Sequence, residues 1–416
     1  CLRNGCSAVT IRLPDGKVPR CSATGESIVP SHRLPFATLL AGFLLGVTSL
    51  ATAEGLPRTM AWSAYNLGTT GYNQAVGIGK MLRRREGVTL RVIPGKNDVS
   101  RLLPLRRGLV QFSANGVASW FASEGLHQFA DPAWGPQPIR LVAMSNGDSN
   151  QALAVAADTG IREFSGLRGR RVAWVRGAPA LNVSTEAFLA CGGLTWDDVE
   201  KVEFPGYGAM WNGIVAGQVD AAYATTVSGP TRKLEASPRG IRWPEVPHDD
   251  DECWAGIHRV APYFTRHVAT LGAGISAENP HEGATYPYPL LITLADQDPS
   301  MVRALVEAID THHADFADAD PGAIGWARER QILDWVVPFH EAAVDYWKST
   351  GIWTEAHDAH NDMLIRRQEV LAAAWAEHEA GEHADKAAAR AAWFELRARR
   401  LEAAGLDAMP GPAGAR

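Results

Sequence analysis

Between Met60 and Asn115 three short strands each run into a polar or glycine-bearing loop, with helical stretches between them, and this alternation restricts the chain to an α/β plan with a parallel sheet. Met60, Trp62 and Ala64 alternate with small or polar residues, Asn66-Leu67-Gly68-Thr69-Thr70-Gly71-Tyr72 follows, and Tyr72, Val76, Gly79 and Leu82 then recur at helical spacing. Val88, Leu90 and Val92 form a second strand, ended by Pro94-Gly95-Lys96-Asn97-Asp98, where Asn or Asp can cap a helix starting at Val99. A third strand over Leu109 to Ser113 ends at Ala114-Asn115-Gly116. In such sheets ligands sit beyond the carboxyl ends of the strands, so these loops are the expected site.

The first loop can seat an anion, because its glycines reach backbone angles other residues avoid and a helix N-terminus follows with unpaired N–H groups. An ordinary glycine-rich turn without ligand explains the same residues. Neither a G-x-x-x-x-G-K-[ST] frame nor a G-x-G-x-x-G frame fits, which argues against a nucleotide.

A second segment starts near Pro136. Ile139 to Met144 and Leu153 to Ala157 read as strands around the polar turn Asn146 to Asn150. A strand ending near Val175, the loop Arg176 to Asn182, a helix stopped by Gly192-Gly193, a strand over Lys201 to Phe204 and a helix through Met210, Trp211 and Ile214 come next. Thr195 to Asp198 has the spacing of a capping box, with Asp replacing Glu. The second segment repeats the plan of the first without its sequence, so two α/β lobes are expected to face each other. Leu290 to Leu294 is expected to return to the first lobe. Helices are expected from Pro299 onward, including Trp326 to Trp335, then one or two long ones over Thr354 to Leu401. The tail from Ala404 is expected without regular structure. The division is therefore 1–53 upstream segment and signal peptide, 54–145 and 279–350 first lobe, 146–278 second lobe, and 351–416 helical extension and tail.

The 416 residues carry 40 Lys and Arg against 46 Asp and Glu, a formal charge of −6, which gives no footprint for nucleic acid. Leu34 to Ala53 holds no charge, follows Arg33 and closes on Ala51-Thr52-Ala53. That describes a secretory signal cleaved after Ala53, and a permanent membrane anchor is the alternative. Residues 1–32 read as an extended start with little structure. Three of the five cysteines fall there, leaving Cys191 and Cys253, which can form one bridge in an oxidising compartment although nothing in their spacing demands it.

The order of motifs resembles the TAXI family of solute-binding proteins, the extracytoplasmic receptors of a class of TRAP transporters. The matching residues are Gly68-Thr69-Thr70-Gly71-Tyr72, Gly160 to Val172, Gly192-Gly193-Leu194-Thr195-Trp196-Asp197-Asp198-Val199, Gly217-Gln218-Val219-Asp220-Ala221-Ala222, and Val337-Pro338-Phe339-His340 with Tyr346, spanning roughly Thr59 to Ala376. The resemblance implies a two-lobe type II periplasmic-binding-protein fold that closes on a small organic anion. It also implies a membrane permease driven by an ion gradient. Two departures stand out. Arg176-Gly177-Ala178-Pro179-Ala180-Leu181-Asn182-Val183 lies where the family commonly has small hydroxyl residues, and Thr70-Gly71-Tyr72-Asn73 keeps one aromatic residue of a usual pair.

The candidate solute-binding residues are Thr69, Thr70, Gly71, Tyr72, Asn97, Asn115, Gly177, Ala178, Asn182, Tyr207, Trp211 and Thr225. Tyr72, Tyr207 and Trp211 are rigid aromatics able to wall a cleft, with core packing as the alternative. Asn97, Asn115 and Asn182 sit at strand-to-helix loops, where capping explains Asn97 and Asn182 equally well. Lys96 and Arg176 are the nearest cations. The run His248 to Cys253 lacks the spacing of a calcium loop and reads as exposed. His312-His313, His357 and His360 read as helix surface, and His340 as structural. No metal, cofactor or catalytic constellation is expected: there is no G-x-S-x-G elbow and no cysteine beside a histidine. The expected function is a periplasmic receptor for a dicarboxylate, keto acid or amino acid, and not an enzyme. An enzyme on the same fold and a membrane-anchored sensor are the alternatives.

Overall fold

The computed structural model describes residues 55–408; the signal-like stretch, the segment before it and the end of the tail lie outside those residues. In the first lobe β1 (Thr59–Ala64), α1 (Thr70–Arg85), β2 (Thr89–Pro94), α2 (Asp98–Arg106), β3 (Phe112–Asn115), α3 (Ala118–Glu124) and β4 (Ile139–Met144) follow in order. The second lobe comprises β5 (Gln151–Ala156), β6 (Arg171–Val175), α4 (Pro179–Cys191), β7 (Glu200–Phe204), α5 (Tyr207–Val215), β8 (Ala221–Thr225), α6 (Gly229–Glu235), β9 (Ile241–Arg242), α7 (Asp251–Val260) and the ribbon β10 (Thr265–Ala269) with β11 (His281–Thr285). The chain then returns through β12 (Leu290–Leu294), α8 (Pro299–Thr311) and α9 (Glu341–Ser349), and ends in α10 (Glu355–Glu379) and α11 (Lys386–Ala403).

The sheets have strand orders β2-β1-β3-β12-β4 and β7-β6-β8-β5-β9. In each, the first three strands are parallel and a strand from the other end of the lobe enters antiparallel: β12 against β3 and β4, β5 against β8 and β9. The two lobes thus share one topology, that of the type II periplasmic-binding fold. Residues 145–150 and 286–289 connect them. These connectors pair, Tyr288 N–H donating to Ser145 O at 2.6 Å and Ser145 N–H to Pro289 O at 2.8 Å.

The strand alternation survives in space: Met60, Trp62 and Ala64 are buried, with Trp62 packed edge-on against Phe112 at 6.0 Å. The face of α1 does not follow the expected stripe. Ala75, Ile78, Met81 and Leu82 are in the core, while Tyr72, Val76 and Gly79 are half-buried beside Leu90 and Val92 of the edge strand β2. Asn97 caps α2 reciprocally with Ser100, and the Thr195–Asp198 box forms. Cys191 and Cys253 are bonded, joining the end of α4 to α7.

The expected helix over Trp326 to Trp335 is absent. Single turns at Ala323–Trp326 and Arg328–Arg330 occur instead, and the backbone is drawn aside because Gln331 bonds both the N–H and the carbonyl of Met144, at 2.9 and 2.8 Å. Trp326 Nε1 donates to Gln74 Oε1 at 2.7 Å, so its burial reflects docking on α1 and not helical periodicity. His340 caps α9, accepting from Ala342 N–H at 3.2 Å, and His360 Nε2 reaches Trp335 O at 2.7 Å. Asp250 of the acidic run caps α7. The last two helices pack on the first lobe through Leu371, Ala374, Trp375, Trp393 and Leu396, and Trp393 Nε1 donates to Gly125 O at 2.7 Å. The tail is ordered further than expected, since the carbonyls of Asp407 and Ala408 accept from Arg367 and Arg397. Among the described residues no helix is long and apolar enough to cross a membrane.

Candidate functional site

The lobes meet around a small cavity of about 50 Å³ at the carboxyl ends of both sets of parallel strands. The first lobe contributes Tyr65 and Asn66 after β1, Thr69 before α1, Lys96 and Asn97 after β2, Asp98 and Arg101 of α2, and Gly116 after β3. The second contributes Gln151, Ala180, Leu181, Tyr207, Tyr223 and Thr225, and the connector adds Tyr286 and Tyr288.

Backbone contacts close the rim. Tyr207 N–H donates to Lys96 O at 3.1 Å, Val99 N–H to Gly177 O at 3.3 Å, and Asn97 Nδ2 to Arg176 O at 3.0 Å. A Cβ at Gly229 would overlap the carbonyl oxygen of Gly68, so only glycine lets the two loops approach this closely. These contacts describe a closed arrangement of the lobes.

Five tyrosines dominate the walls. The Tyr65 and Tyr288 rings meet edge-on at 4.9 Å. Tyr223 O–H donates to Gln151 Oε1 at 3.2 Å, the Tyr286 hydroxyl lies 3.3 Å from the Tyr223 oxygen, and Tyr207 lies 3.0 Å from Ser228 Oγ. Burial raises the pKa of every one of these hydroxyls well above the ordinary tyrosine range, so all stay neutral at physiological pH. They offer a solute flat apolar faces and neutral hydroxyls.

The charged end is α2. The Arg101 guanidinium lies 3.8 Å over the Tyr65 ring and donates through Nη2 to Asp98 Oδ1, while its Nε–H is buried without a partner among the described residues. Asp98 Oδ2 accepts from Ala180 N–H, 2.8 Å away in the first turn of α4 in the opposite lobe. Burial pushes the Asp98 carboxyl above its ordinary value, against the pull of Arg101 and Ala180 N–H. Because both oxygens receive donors, a proton on either would face an N–H, and the arrangement is that of an ionised carboxylate.

Of the sequence candidates, Thr69, Asn97, Tyr207 and Thr225 line this cavity. Gly71 lies under it: a Cβ there would fall 2.5 Å from the Tyr65 ring. Gly177 belongs to the lobe contact, with φ near +70° and the Asn97 amide 2.7 Å from where its Cβ would be. The others lie elsewhere. Thr70 is tied to Asp320 and Gln74 within the first lobe, and Tyr72 lines the outer groove beside β2. Asn115 is spent on Ser113 Oγ and Gly116 N–H, at 3.3 and 3.0 Å. Asn182 holds both the N–H and the carbonyl of Val175 at 2.9 Å, closing the turn into α4. Ala178 and Trp211 are in the second-lobe core, Trp211 packing against Tyr207 at 6.3 Å. Arg176 is exposed and paired with Glu203, whereas Lys96 lines the cavity.

Sequence reasoning missed Arg101, Asp98 and four of the tyrosines as site residues. Arg101 occupies one position on a helix without a motif, and Tyr65, Tyr223, Tyr286 and Tyr288 converge only through tertiary pairing; the Tyr286-Pro287-Tyr288-Pro289 run was the one available signal. Among the described residues no group of three or more His, Cys, Asp or Glu is placed to hold a metal ion.

A family model described as "NMT1/THI5 like" matches residues 85–242, which run from the end of α1 to β9. No curated protein matches the sequence. Among solved structures, the periplasmic aliphatic sulphonate binding protein SsuA from Escherichia coli is similar at 14% identity over 78% of this chain and 88% of its own, with a TM-score of 0.40. The alkanesulfonate-binding protein SsuA from Xanthomonas axonopodis pv. citri, bound to MOPS, is similar at 15% identity over 84% and 94%, with a TM-score of 0.40. An ABC transporter periplasmic binding protein from Brucella ovis with glutathione bound is similar at 10% identity over 62% and 67%, with a TM-score of 0.39.

Proposed function

We propose that this chain is an exported solute-binding receptor that captures a small organic anion between its lobes and presents the closed form to a membrane permease, without altering the solute. The observation that carries this reading is the cavity itself: both lobes and their connector wall it, and it is lined by a buried arginine whose Nε–H has no partner among the described residues. A solute bridging both lobes binds the closed form better than the open one, so it shifts the population toward closure. The lining supports binding and not catalysis, because its tyrosines are held neutral and its one carboxylate is committed to Arg101 and Ala180.

Export to the periplasm is supported by the uncharged Leu34 to Ala53 run and by the bonded cysteines. The order of the sequence motifs supports a TRAP-type permease; uptake that collapses with the ion gradient and persists after ATP depletion is the expected behaviour, and the reverse dependence would refute that partner.

The test of the receptor reading is a thermal-shift screen of the protein from Glu54 onward, freed of retained ligand, against dicarboxylates, keto acids, amino acids and neutral polar solutes. A solute that binds only the folded form raises the melting temperature with concentration. A shift with recovery of the compound intact is expected, and chemical turnover of the compound would refute the reading.

A further inference from the structure

The second lobe's α4 has no acidic residue in its own first turn. The negative group at that helix N-terminus comes instead from the opposite lobe: Asp98 Oδ2 accepts from Ala180 N–H at 2.8 Å while Oδ1 accepts from Arg101. A carboxylate at the positive end of a helix is favourable in itself. Here it also spans the cleft, so the protein supplies internally the anion that α4 would otherwise draw from a solute.

The remaining charges set the balance. Among the cavity's side chains only Lys96, Asp98 and Arg101 carry formal charge, and every other lining residue is neutral. Arg101 and Asp98 are buried and paired with each other, whereas Lys96 is exposed and has no carboxylate partner among the lining residues. Arg101 is 95% buried and retains an unpartnered Nε–H, and a buried unsatisfied donor of a charged group is costly until it is paired.

Resting on the receptor reading above, we infer that the solute is a monoanion, with one carboxylate paired to Arg101 and an uncharged, flat or apolar body between the tyrosines, and that Asp98 excludes dicarboxylates. A second carboxylate on the solute would enter beside the buried Asp98 carboxylate, where the one cation left, Lys96, is exposed to solvent and not buried with it. The dicarboxylate class thereby drops out of the solutes considered above, and monoanionic keto acids and aromatic acids remain.

The experiment is calorimetric titration of the ligand-free protein with matched pairs: benzoate against isophthalate, and 2-oxobutyrate against 2-oxoglutarate. The expected result is at least tenfold tighter binding of the monocarboxylate in one or both pairs. That preference is expected to narrow in Asp98→Asn, and monocarboxylate binding is expected to weaken at least tenfold in Arg101→Met, with circular dichroism confirming that each variant is folded. The wild-type comparison stands by itself if a variant does not fold. A dicarboxylate that binds as tightly as its partner overturns the inference, as does failure of both monocarboxylates to bind. Native mass spectrometry of the protein as purified separates the two levels. A retained neutral or cationic small molecule overturns the monoanion class and leaves the receptor reading intact. No retained molecule, together with no binding of any screened solute, overturns both.

Discussion

Glu124 is the test of how the C-terminal helices are held. Its carboxylate, 2% exposed at the end of α3, accepts from Arg367 Nε at 2.7 Å and Nη2 at 2.8 Å, and from Arg397 Nη2; Arg397 Nε also donates to its backbone carbonyl at 3.1 Å. Arg367 lies on α10 and Arg397 on α11, so one first-lobe carboxylate pairs with a buried cation from each helix. Glu124→Gln keeps the shape but leaves two guanidinium groups buried without a counter-charge. Removing one partner of a buried pair costs about 3–5 kcal/mol, because the other charge stays desolvated. If α10 and α11 open as a unit, that cost reads as a loss of amide protection of roughly two to three and a half powers of ten, at about 1.4 kcal/mol per tenfold. Hydrogen exchange followed by mass spectrometry resolves the two helices from the rest of the first lobe. Replacing Glu124, Arg367 and Arg397 together by Leu, Met and Met should recover most of the protection, since an apolar substitute removes the desolvation along with the attraction. Unchanged exchange in α10 and α11 of Glu124→Gln would refute this anchoring.

Three further outcomes follow from the geometry. Gly229→Val places side-chain atoms against the Gly68 carbonyl and should weaken binding of any solute that shifts the wild-type melting temperature by about tenfold or more, in line with overpacking costs of about 1–3 kcal/mol, while the unliganded melting temperature stays the same; equal affinities would contradict closure at this contact. Cys191→Ala with Cys253→Ala removes a crosslink between positions 62 residues apart and should lower stability by about 4 kcal/mol on chain-entropy grounds, read as a lower urea midpoint; an unchanged midpoint would contradict a stabilising role. Burial, with Arg390 nearby, lowers His127 to a pKa of about 4. It is neutral in the folded protein over the range where the unfolded chain, with a pKa near ~6.5, takes up a proton. Stability is therefore intact above about pH 6.5 and lost as pH falls toward 4, by about 3 kcal/mol at most. His127→Asn, which tolerates the positive φ of 50° at this position, should flatten the urea midpoint between pH 7 and 4.5, and an equal acid slope in the variant would contradict the assignment.

The two-lobe plan was legible because it is written in local periodicity: strands such as Met60 to Ala64 alternate, and caps such as Asn97 and Thr195 announce their helices within four residues. The site was legible only as a set of loops. Four of the expected residues line the cavity because strand ends fix loop positions, yet Thr70, Asn115 and Asn182 are consumed by neighbouring backbone or side chains that no pattern reveals. Tyr72 and Trp211 show the limit of helical spacing, which places an aromatic residue on a helix but not the neighbour that face meets. Arg101 and Asp98 show the larger gap. Three residues apart on α2, they form no motif, and Asp98 meets its second donor only where α4, some 80 residues later, approaches from the opposite lobe.

Closure of the lobes over this cavity by solute is read by small-angle X-ray scattering of the stripped protein, with and without a compound that raises its melting temperature. The expected result is a smaller radius of gyration with solute and a scattering curve matching the closed arrangement of the lobes. Identical curves with and without every compound that binds would contradict it.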